Sequence, residues 1–347
     1  MKNKLLTTTA IAGLLITSSA FAQTTVTGNL DLSYKSVSTD NNKLNSHRGF
    51  GKETQINIAN KGKLNNGMDY VAGFSIEHDG AETGGVGMFN ENVYIDFISG
   101  STTLTIGADH IQNPDYEATS IVGLADIDEV VSGANLKGPA FVNNIGAVYT
   151  AFGVGIIQDV GVGKISAYYV PSGNGIAGDS HGGNGTNAGY IDGANSTYEI
   201  GFRGNLGVKG LDAGLFYNSS DSNERGLSVE SADNWKLNAK YAFGAVTAGA
   251  SYASQDSNGT ATQTTKETRA VALGYALSPL ASVSISHAKT EDTTVVKKNN
   301  DEKITAIQFG YSLGPVGLGL SLGKVENIGN NANEDGKAAT VHLSTRF

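Results

Sequence analysis

The chain contains no cysteine, which excludes disulfide bonds and thiolate metal sites. Basic residues are also few: 24 lysines and arginines stand against 33 aspartates and glutamates, and the resulting formal charge of −9 excludes a general nucleic-acid-binding protein. Beyond the N-terminal region, no apolar run approaches the ~18 residues of a transmembrane helix. The hydrophobic fraction of 39% is low for one large soluble core.

Motifs of known catalytic or metal chemistry are missing as well. The six histidines include neither an H-E-x-x-H motif nor a pair at metal-ligand spacing, and no G-x-S-x-G nucleophile motif occurs. We therefore predict that the protein is not an enzyme and needs no cofactor. Glycine, by contrast, is abundant, with 46 residues in 347. This composition suits either an exported β-protein with many turns or a membrane β-barrel, whose strands are apolar on one face only.

The N-terminus has the pattern of a secretory signal peptide. Lys2 and Lys4 precede a mostly apolar stretch at 5–16, and Ala20 to Ala22 form an A-x-A cleavage signal. We expect residues 1–22 to be removed, which leaves a β-barrel domain at 23–347.

Apolar and polar residues alternate with period two through most of this domain, as strands require. In "TTVTGNLDLSYKS", for example, Val26, Leu30, Leu32 and Tyr34 share one face. Sixteen such segments are predicted at 24–36, 50–60, 67–78, 88–98, 102–109, 142–151, 163–170, 197–204, 210–218, 234–243, 245–254, 267–277, 281–289, 302–311, 316–325 and 337–347. At 152–162, "GVGII" could extend a strand.

The connections between these segments alternate between short and long. Short connections fall at 61–66, 99–101, 205–209, 244, 278–280 and 312–315, and the predicted long ones at 37–49, 79–87, 110–141, 171–196, 219–233, 255–266, 290–301 and 326–336. This alternation predicts a closed antiparallel barrel with short turns on the periplasmic rim and long loops on the external rim. Ten of the fourteen tyrosines fall on the apolar phase, mostly near strand ends, which suits a bilayer interface better than a soluble core.

With these features the sequence resembles the Gram-negative general-diffusion porins over its whole length. The resemblance rests on the "VTGNLDLSY" opening strand, the sixteen segments, the long third loop and a final amphipathic strand that ends in Phe347. It implies a transmembrane all-β barrel that assembles as a homotrimer in the outer membrane, among lipid and lipopolysaccharide. It also implies that the third loop folds into the lumen and that the assembly machinery recognises the strand ending in Phe347.

The third loop, predicted at 110–141, is strongly acidic. It has one lysine, Lys137, and we expect its carboxylates to line a pore constriction that favours cations: Asp115, Glu117, Asp126, Asp128 and Glu129. Two other interpretations remain open. The acids could be a solvated charge run on an exposed loop, or Asp126, Asp128 and Glu129 could bind calcium, although the spacing lacks a full ligand motif.

In the family, a cluster of arginines faces that loop, and here the chain departs from the pattern because arginines are few. Candidates for a basic lumen wall are spread over several strands: Lys35, Lys52, Arg203, Lys236, Lys240, Arg269 and Arg346. We therefore expect a water-filled channel for passive diffusion of ions and small hydrophilic solutes, with mild cation selectivity. The alternatives are a substrate-specific channel, for example for sugars, or an exported adhesin.

Overall fold

The structure, a computed structural model, describes residues 23–39, 47–79, 89–108, 121, 152–170, 197–220, 231–258, 263–292, 300–330, 332 and 334–347. These residues form sixteen antiparallel strands in one closed barrel, in which each strand pairs with its neighbours in sequence. The strands are β1 (Gln23–Thr39), β2 (His47–Lys63), β3 (Asp69–Asp79), β4 (Phe89–Ser99), β5 (Thr102–Ala108), β6 (Phe152–Asp159), β7 (Gly163–Val170), β8 (Thr197–Gly204), β9 (Leu211–Ser220), β10 (Ser231–Phe243), β11 (Val246–Asn258), β12 (Gln263–Ser278), β13 (Ala281–Asp292), β14 (Glu302–Ser312), β15 (Val316–Glu326) and β16 (Gly336–Arg346). A 3-10 turn, Ile328–Asn330, precedes β16.

Fifteen of the sixteen predicted segments coincide with strands, and the sixth does not. The span 142–151 lies outside the described residues, and the sixth strand of the barrel is Phe152–Asp159, paired with β5 and β7. Its alternation is hidden because Gly153 and Gly155 occupy the inward positions. A Cβ on Gly155 would meet the ring of Tyr168 and Cγ2 of Thr105, so a larger side chain has no room there. The third connection consequently runs from 109 to 151.

Successive connections lie on alternate rims of the barrel, as predicted, but some connections on one rim are as short as those on the other. One rim carries the turns at 64–68, 100–101, 160–162, 205–210, 244–245, 279–280 and 313–315, and the other carries the loops at 40–46, 80–88, 109–151, 171–196, 221–230, 259–262, 293–301 and 327–335. The connection expected at 255–266 is only 259–262, since β11 and β12 continue to pair up to Asn258 and Gln263. We call these the turn rim and the loop rim.

The two faces of the barrel have opposite polarity to those of a water-soluble protein. Large apolar side chains point away from the barrel and are about half exposed, such as Ile200 at 54%, Val271 at 58% and Leu322 at 61%. Polar side chains of the alternate phase are buried inside, including Asn238 at 0% and Gln308 at 3%. An apolar outer surface and a polar interior are what a strand barrel in hydrocarbon requires. Among the described residues, no helix is long and apolar enough to cross a membrane.

Aromatic side chains border the apolar surface at both rims. Towards the turn rim lie Tyr241, Phe243, Tyr275 and Tyr311, and towards the loop rim lie Phe50, Tyr169, Tyr198, Tyr217 and Trp235. The latter group is partly interconnected: the rings of Tyr217 and Trp235 are 4.4 Å apart, and the Tyr217 hydroxyl donates to Asp233 Oδ1 at 2.9 Å. Such paired aromatic belts are typical of the interfaces between hydrocarbon and headgroups.

The ring closes between its first and last strands. β1 and β16 pair in register from Asn29 opposite Arg346 to Thr39 opposite Gly336. Phe347 extends this pairing, because its N–H donates to the Gly28 carbonyl at 2.9 Å and its carbonyl accepts from the Gly28 N–H at 2.8 Å. The Phe347 ring lies over Gly28, where a Cβ would be 2.7 Å from its Cζ atom.

Candidate channel lumen

The lumen wall is formed by alternate residues of all sixteen strands, because successive side chains of a strand leave opposite faces. On β10, for example, Asn234, Lys236, Asn238 and Lys240 point inward while Trp235 and Leu237 point outward. The inward residues of neighbouring strands lie opposite one another in continuous rows. One such row runs from Tyr168 through Glu199 and Asn218 to Asn234, across β7 to β10.

Five of the seven basic residues expected in the lumen lie on the inward face: Lys35, Arg203, Lys236, Lys240 and Arg346. Lys52 and Arg269 do not. Lys52 pairs with Leu32 and lines an outward groove with Tyr34, Phe50, Val341 and Leu343. Arg269 shares the outward phase with Val271, and its Nη2 atom donates to Glu267 Oε2 at 2.8 Å. Both lie towards the loop rim, where a long basic side chain can reach the headgroup region.

The inward cations of β7 to β10 form one arc of the wall, which we call the basic arc: Lys164, Arg203, Lys236 and Lys240. Arg203 binds Asp212 through two parallel contacts, Nε to Oδ1 at 3.2 Å and Nη2 to Oδ2 at 2.9 Å. Lys164 lies directly opposite Arg203, and Lys240 lies directly opposite Asp212. The two parallel contacts orient the guanidinium plane towards Asp212.

The opposing wall, on β1 to β4, carries the inward carboxylates Asp31, Glu53, Glu77 and Asp96, which we call the acidic arc. His342 Nε2 approaches Asp31 Oδ1 at 3.2 Å, and Gln55 Nε2 donates to Glu77 Oε2 at 3.3 Å. A cavity of about 750 Å³ is lined by β1, β2 and β16 and includes Arg346 in its lining. Acidic and basic arcs on different sides of one lumen create a field across it.

A third part of the wall, on β11 to β15, is built from small residues. Ala270, Ala272, Ser286, Ala288 and Ala306 point inward and are between 0% and 6% exposed. Ile121 is the one described residue of the third connection, and its side chain packs against Gly274 of β12 on this wall. A Cβ on Gly274 would lie 3.2 Å from Ile121 Cβ and 3.5 Å from its Cδ1, with Cγ2 closer still. The third connection therefore reaches the inner face of the barrel at Ile121.

The remaining predicted loop residues, Asp115, Glu117, Asp126, Asp128 and Glu129, lie outside the described residues, and so does the calcium site considered for three of them. Within the part of the chain that the structure describes, no group of three potential metal ligands occurs.

The sequence reasoning missed Lys164 and all four carboxylates of the acidic arc. Their signal was present, because each lies on the phase opposite to the apolar residues of its strand. Phase alone, however, cannot show that four carboxylates fall on the neighbouring strands β1 to β4 while four cations fall on the neighbouring strands β7 to β10. That grouping depends on which strands neighbour one another around the ring.

Comparison with known proteins identifies the family. The sequence profile described as "Gram-negative porin" matches residues 7–330. The chain belongs to the Gram-negative porin family. No curated protein sequence matches it.

Solved porin structures share this fold at low sequence identity. An anion-selective porin from Comamonas acidovorans superposes with a TM-score of 0.69 at 12% identity, covering 94% of this chain and 100% of the other. A mutant porin of Rh. blastica gives a TM-score of 0.61 at 12% identity, covering 94% and 100%. OmpT of Vibrio cholerae, in a trimer form, gives 0.62 at 11% identity, covering 94% and 99%. The family and the fold are those of outer-membrane channel proteins.

Proposed function

We propose that this porin forms a water-filled channel for the passive diffusion of ions and small hydrophilic solutes across the outer membrane. The observation that carries the proposal is the closed barrel with an apolar exterior and a wall of charged and amide side chains inside. Water can solvate ions along such a wall, while the outer face stays in lipid. Transport then needs no chemical step, and the inward charges determine the relative permeability of cations and anions.

We further propose mild cation selectivity. The described part of the lumen favours cations only weakly, because the carboxylates of the acidic arc are roughly equal in number to the cations of the basic arc. The loop acids Asp115, Glu117, Asp126, Asp128 and Glu129 would add negative charge at the constriction, where a ring of carboxylates favours cations. The anion selectivity of the Comamonas acidovorans porin does not transfer at 12% identity, which supports a shared fold alone.

The test is the reversal potential of the purified protein in a planar bilayer under a KCl gradient. We expect a potassium permeability somewhat above that of chloride. The triple variant Asp126→Asn, Asp128→Asn and Glu129→Gln should shift the ratio towards anions. A preference for chloride in the unmodified channel would contradict the proposed cation selectivity. An unchanged ratio of potassium to chloride permeability in the triple variant would show that these three residues do not line the pore.

Few aromatic side chains point into the described lumen, chiefly Tyr94, Tyr168 and Phe216, and they form no continuous track. General diffusion therefore fits better than a sugar-specific channel. Liposome-swelling rates that fall smoothly with solute size would support this choice. Saturation of the rate by one sugar would favour the specific channel, and the absence of any conductance would favour an exported adhesin.

We also propose a homotrimer, as in the trimer form of Vibrio cholerae OmpT, and removal of residues 1–22 on export. Conductance increments in groups of three would support the trimer. N-terminal sequencing of the outer-membrane protein should begin at Gln23.

A further inference from the structure

A cavity on the inner wall at the turn rim carries charges of both signs and has an apolar side. Its volume is about 630 Å³, and it is lined by β6 to β9 and by residues of the turns at 160–162 and 205–210. The charged residues of its described lining are two cations and two carboxylates: Lys164, Arg203, Asp159 and Asp212. This lining is neutral overall, and the volume is in the range of sites for small molecules. We call it the turn-rim cavity.

Backbone hydrogen bonds hold the edge of this cavity in place. The N–H groups of Asn205 and Leu206 donate to the Val162 carbonyl at 3.0 and 3.1 Å, which ties the β8–β9 turn to the β6–β7 turn. Within the β6–β7 turn, the Gly161 N–H donates to Asp159 Oδ1 at 2.8 Å. The cavity is therefore formed before a ligand enters, and binding requires little ordering of the chain.

Two opposite charges of the cavity differ from an equivalent pair elsewhere on the same rim. Asp159 and Lys164 lie directly opposite each other at the end of the β6–β7 hairpin. Lys63 and Asp69 have the same arrangement in the β2–β3 hairpin, and there Lys63 Nζ contacts Asp69 Oδ1 at 2.6 Å. Among the described residues, Asp159 and Lys164 form no ion pair, and Asp159 Oδ1 accepts from the Gly161 N–H instead. Both charges are therefore available to a ligand.

Lys164 also lies next to a second cation. It is directly opposite Arg203, whose guanidinium contacts Asp212 at 2.9 and 3.2 Å. Like charges directly opposite each other destabilise a sheet. Because Asp212 offsets the charge of Arg203, the charge of Lys164 is the one that an anionic group of a ligand would neutralise. Ile157 and Val162 also line the cavity and form its apolar side.

We propose that the turn-rim cavity binds small zwitterionic solutes with an apolar side chain, of which free amino acids such as leucine are the simplest class. The carboxylate of the ligand would contact Lys164, its ammonium group would contact Asp159, and its side chain would lie against the apolar side of the cavity. The Cβ atoms of directly opposite residues are about 5 Å apart, so one small molecule with both charges can reach both side chains. The inference rests on the proposed channel and adds a weak binding step at its turn rim.

The experiment compares leucine with 4-methylpentanoate, which lacks the ammonium group, and with 3-methylbutylamine, which lacks the carboxylate. Binding to the purified full-length protein in detergent is measured by saturation-transfer NMR, and the half-saturating concentration is measured from the ion current in a planar bilayer. The variant is Asp159→Asn with Lys164→Gln, in which the amide oxygen at position 159 can still accept from the Gly161 N–H. The matched control is Lys63→Gln with Asp69→Asn, which removes the same two charges from the β2–β3 hairpin. Neither double variant changes the net charge.

We expect leucine to bind roughly tenfold or more tightly than either analogue, because each analogue lacks one charge-assisted contact. The Asp159 and Lys164 variant should bind leucine roughly tenfold or more weakly, whereas the control should bind it like the unmodified protein. Equal binding of leucine and 4-methylpentanoate would assign the cavity to simple anions and overturn the proposal. Equal leucine binding by the two double variants, or the absence of saturation, would overturn it as well. The conductance before leucine is added tests the channel separately, so a conducting channel that does not bind leucine contradicts this inference alone.

Discussion

At the scale of single residues, the seam of the barrel depends on an aromatic ring placed over a glycine. Phe347 completes two backbone hydrogen bonds with Gly28, and its ring covers the space that a side chain on Gly28 would fill. An unpaired end of β16 would leave backbone donors and acceptors in hydrocarbon, which is costly. Phe347 therefore contributes to closure of the ring.

We predict that deletion of Phe347 lowers the amount of assembled protein in the outer membrane without changing the conductance of the channels that do form. The reason is that the Phe347 ring lies over Gly28 at the seam and carries no charge of its own. Outer-membrane levels and the heat-dependent shift on gels measure assembly, and bilayer recordings measure conductance. Phe347→Tyr, which keeps the ring, is the control. Normal levels of the deletion variant would contradict the prediction.

Lys52 and Arg269 were expected on the lumen wall but lie on the outer face of the barrel. Alternation predicts which residues share a face, but near a strand end polar residues occupy both phases. Lys52 shares its phase with Phe50 and Ile56 and pairs with Leu32, so alternation marks it as outward, and what the sequence does not mark is how far the hydrocarbon extends along the strand. A charge on the outward phase is tolerated where the strand leaves the hydrocarbon, and sequence alone does not mark that height.

At the scale of elements, fifteen strands were predictable because a two-residue period is a strong signal whenever one face is apolar. β6 was not, since Gly153 and Gly155 take two of its inward positions, and Gly155 makes room for Tyr168 and Thr105. This requirement comes from neighbouring strands and leaves no local pattern. The lengths of β11 and β12 were underestimated for a similar reason: beyond the bilayer, at Ser254–Asn258 and Gln263–Lys266, both faces are polar although the pairing continues.

The contact between the third connection and β12 yields a prediction at this scale. Gly274→Leu should displace Ile121 from the small-residue wall and change the single-channel conductance, because a side chain at 274 occupies the same space. Adding Ile121→Gly should restore much of the original value by making room. Single-channel amplitudes in a planar bilayer measure the effect.

Gly49→Leu is the matched control for this prediction. Gly49 also lies on the inward phase, and a Cβ there meets nothing within 4 Å. Its substitution should leave the conductance close to that of the unmodified channel. If Gly274→Leu and Gly49→Leu behave alike, the contact with Ile121 does not position the third connection.

At the scale of the whole molecule, the barrel separates charges that lie far apart in the sequence. Glu53 and Glu77 come from β2 and β3, and Lys164 and Lys240 come from β7 and β10, yet all four point into one lumen. The closed fold and the membrane-facing surface could be predicted from alternation. The charge distribution around the ring could not, because it requires the strand order and the register together.

This separation predicts opposite effects of neutralising the two arcs. A unit charge about 10 Å from a passing ion has an interaction energy with it of about 0.4 kcal/mol in water, which changes the permeability of that ion about twofold. The variant Glu53→Gln with Glu77→Gln should therefore lower the ratio of potassium to chloride permeability, and Lys164→Gln with Lys240→Gln should raise it. Both shifts should be modest but measurable at 0.1 M salt, where the screening length is about 10 Å, and smaller at 1 M, where it is about 3 Å. Reversal potentials at the two concentrations provide the measurement. If neither pair changes the ratio at low salt while the triple loop variant does, then the constriction alone determines selectivity and the arcs serve only to keep the lumen hydrated.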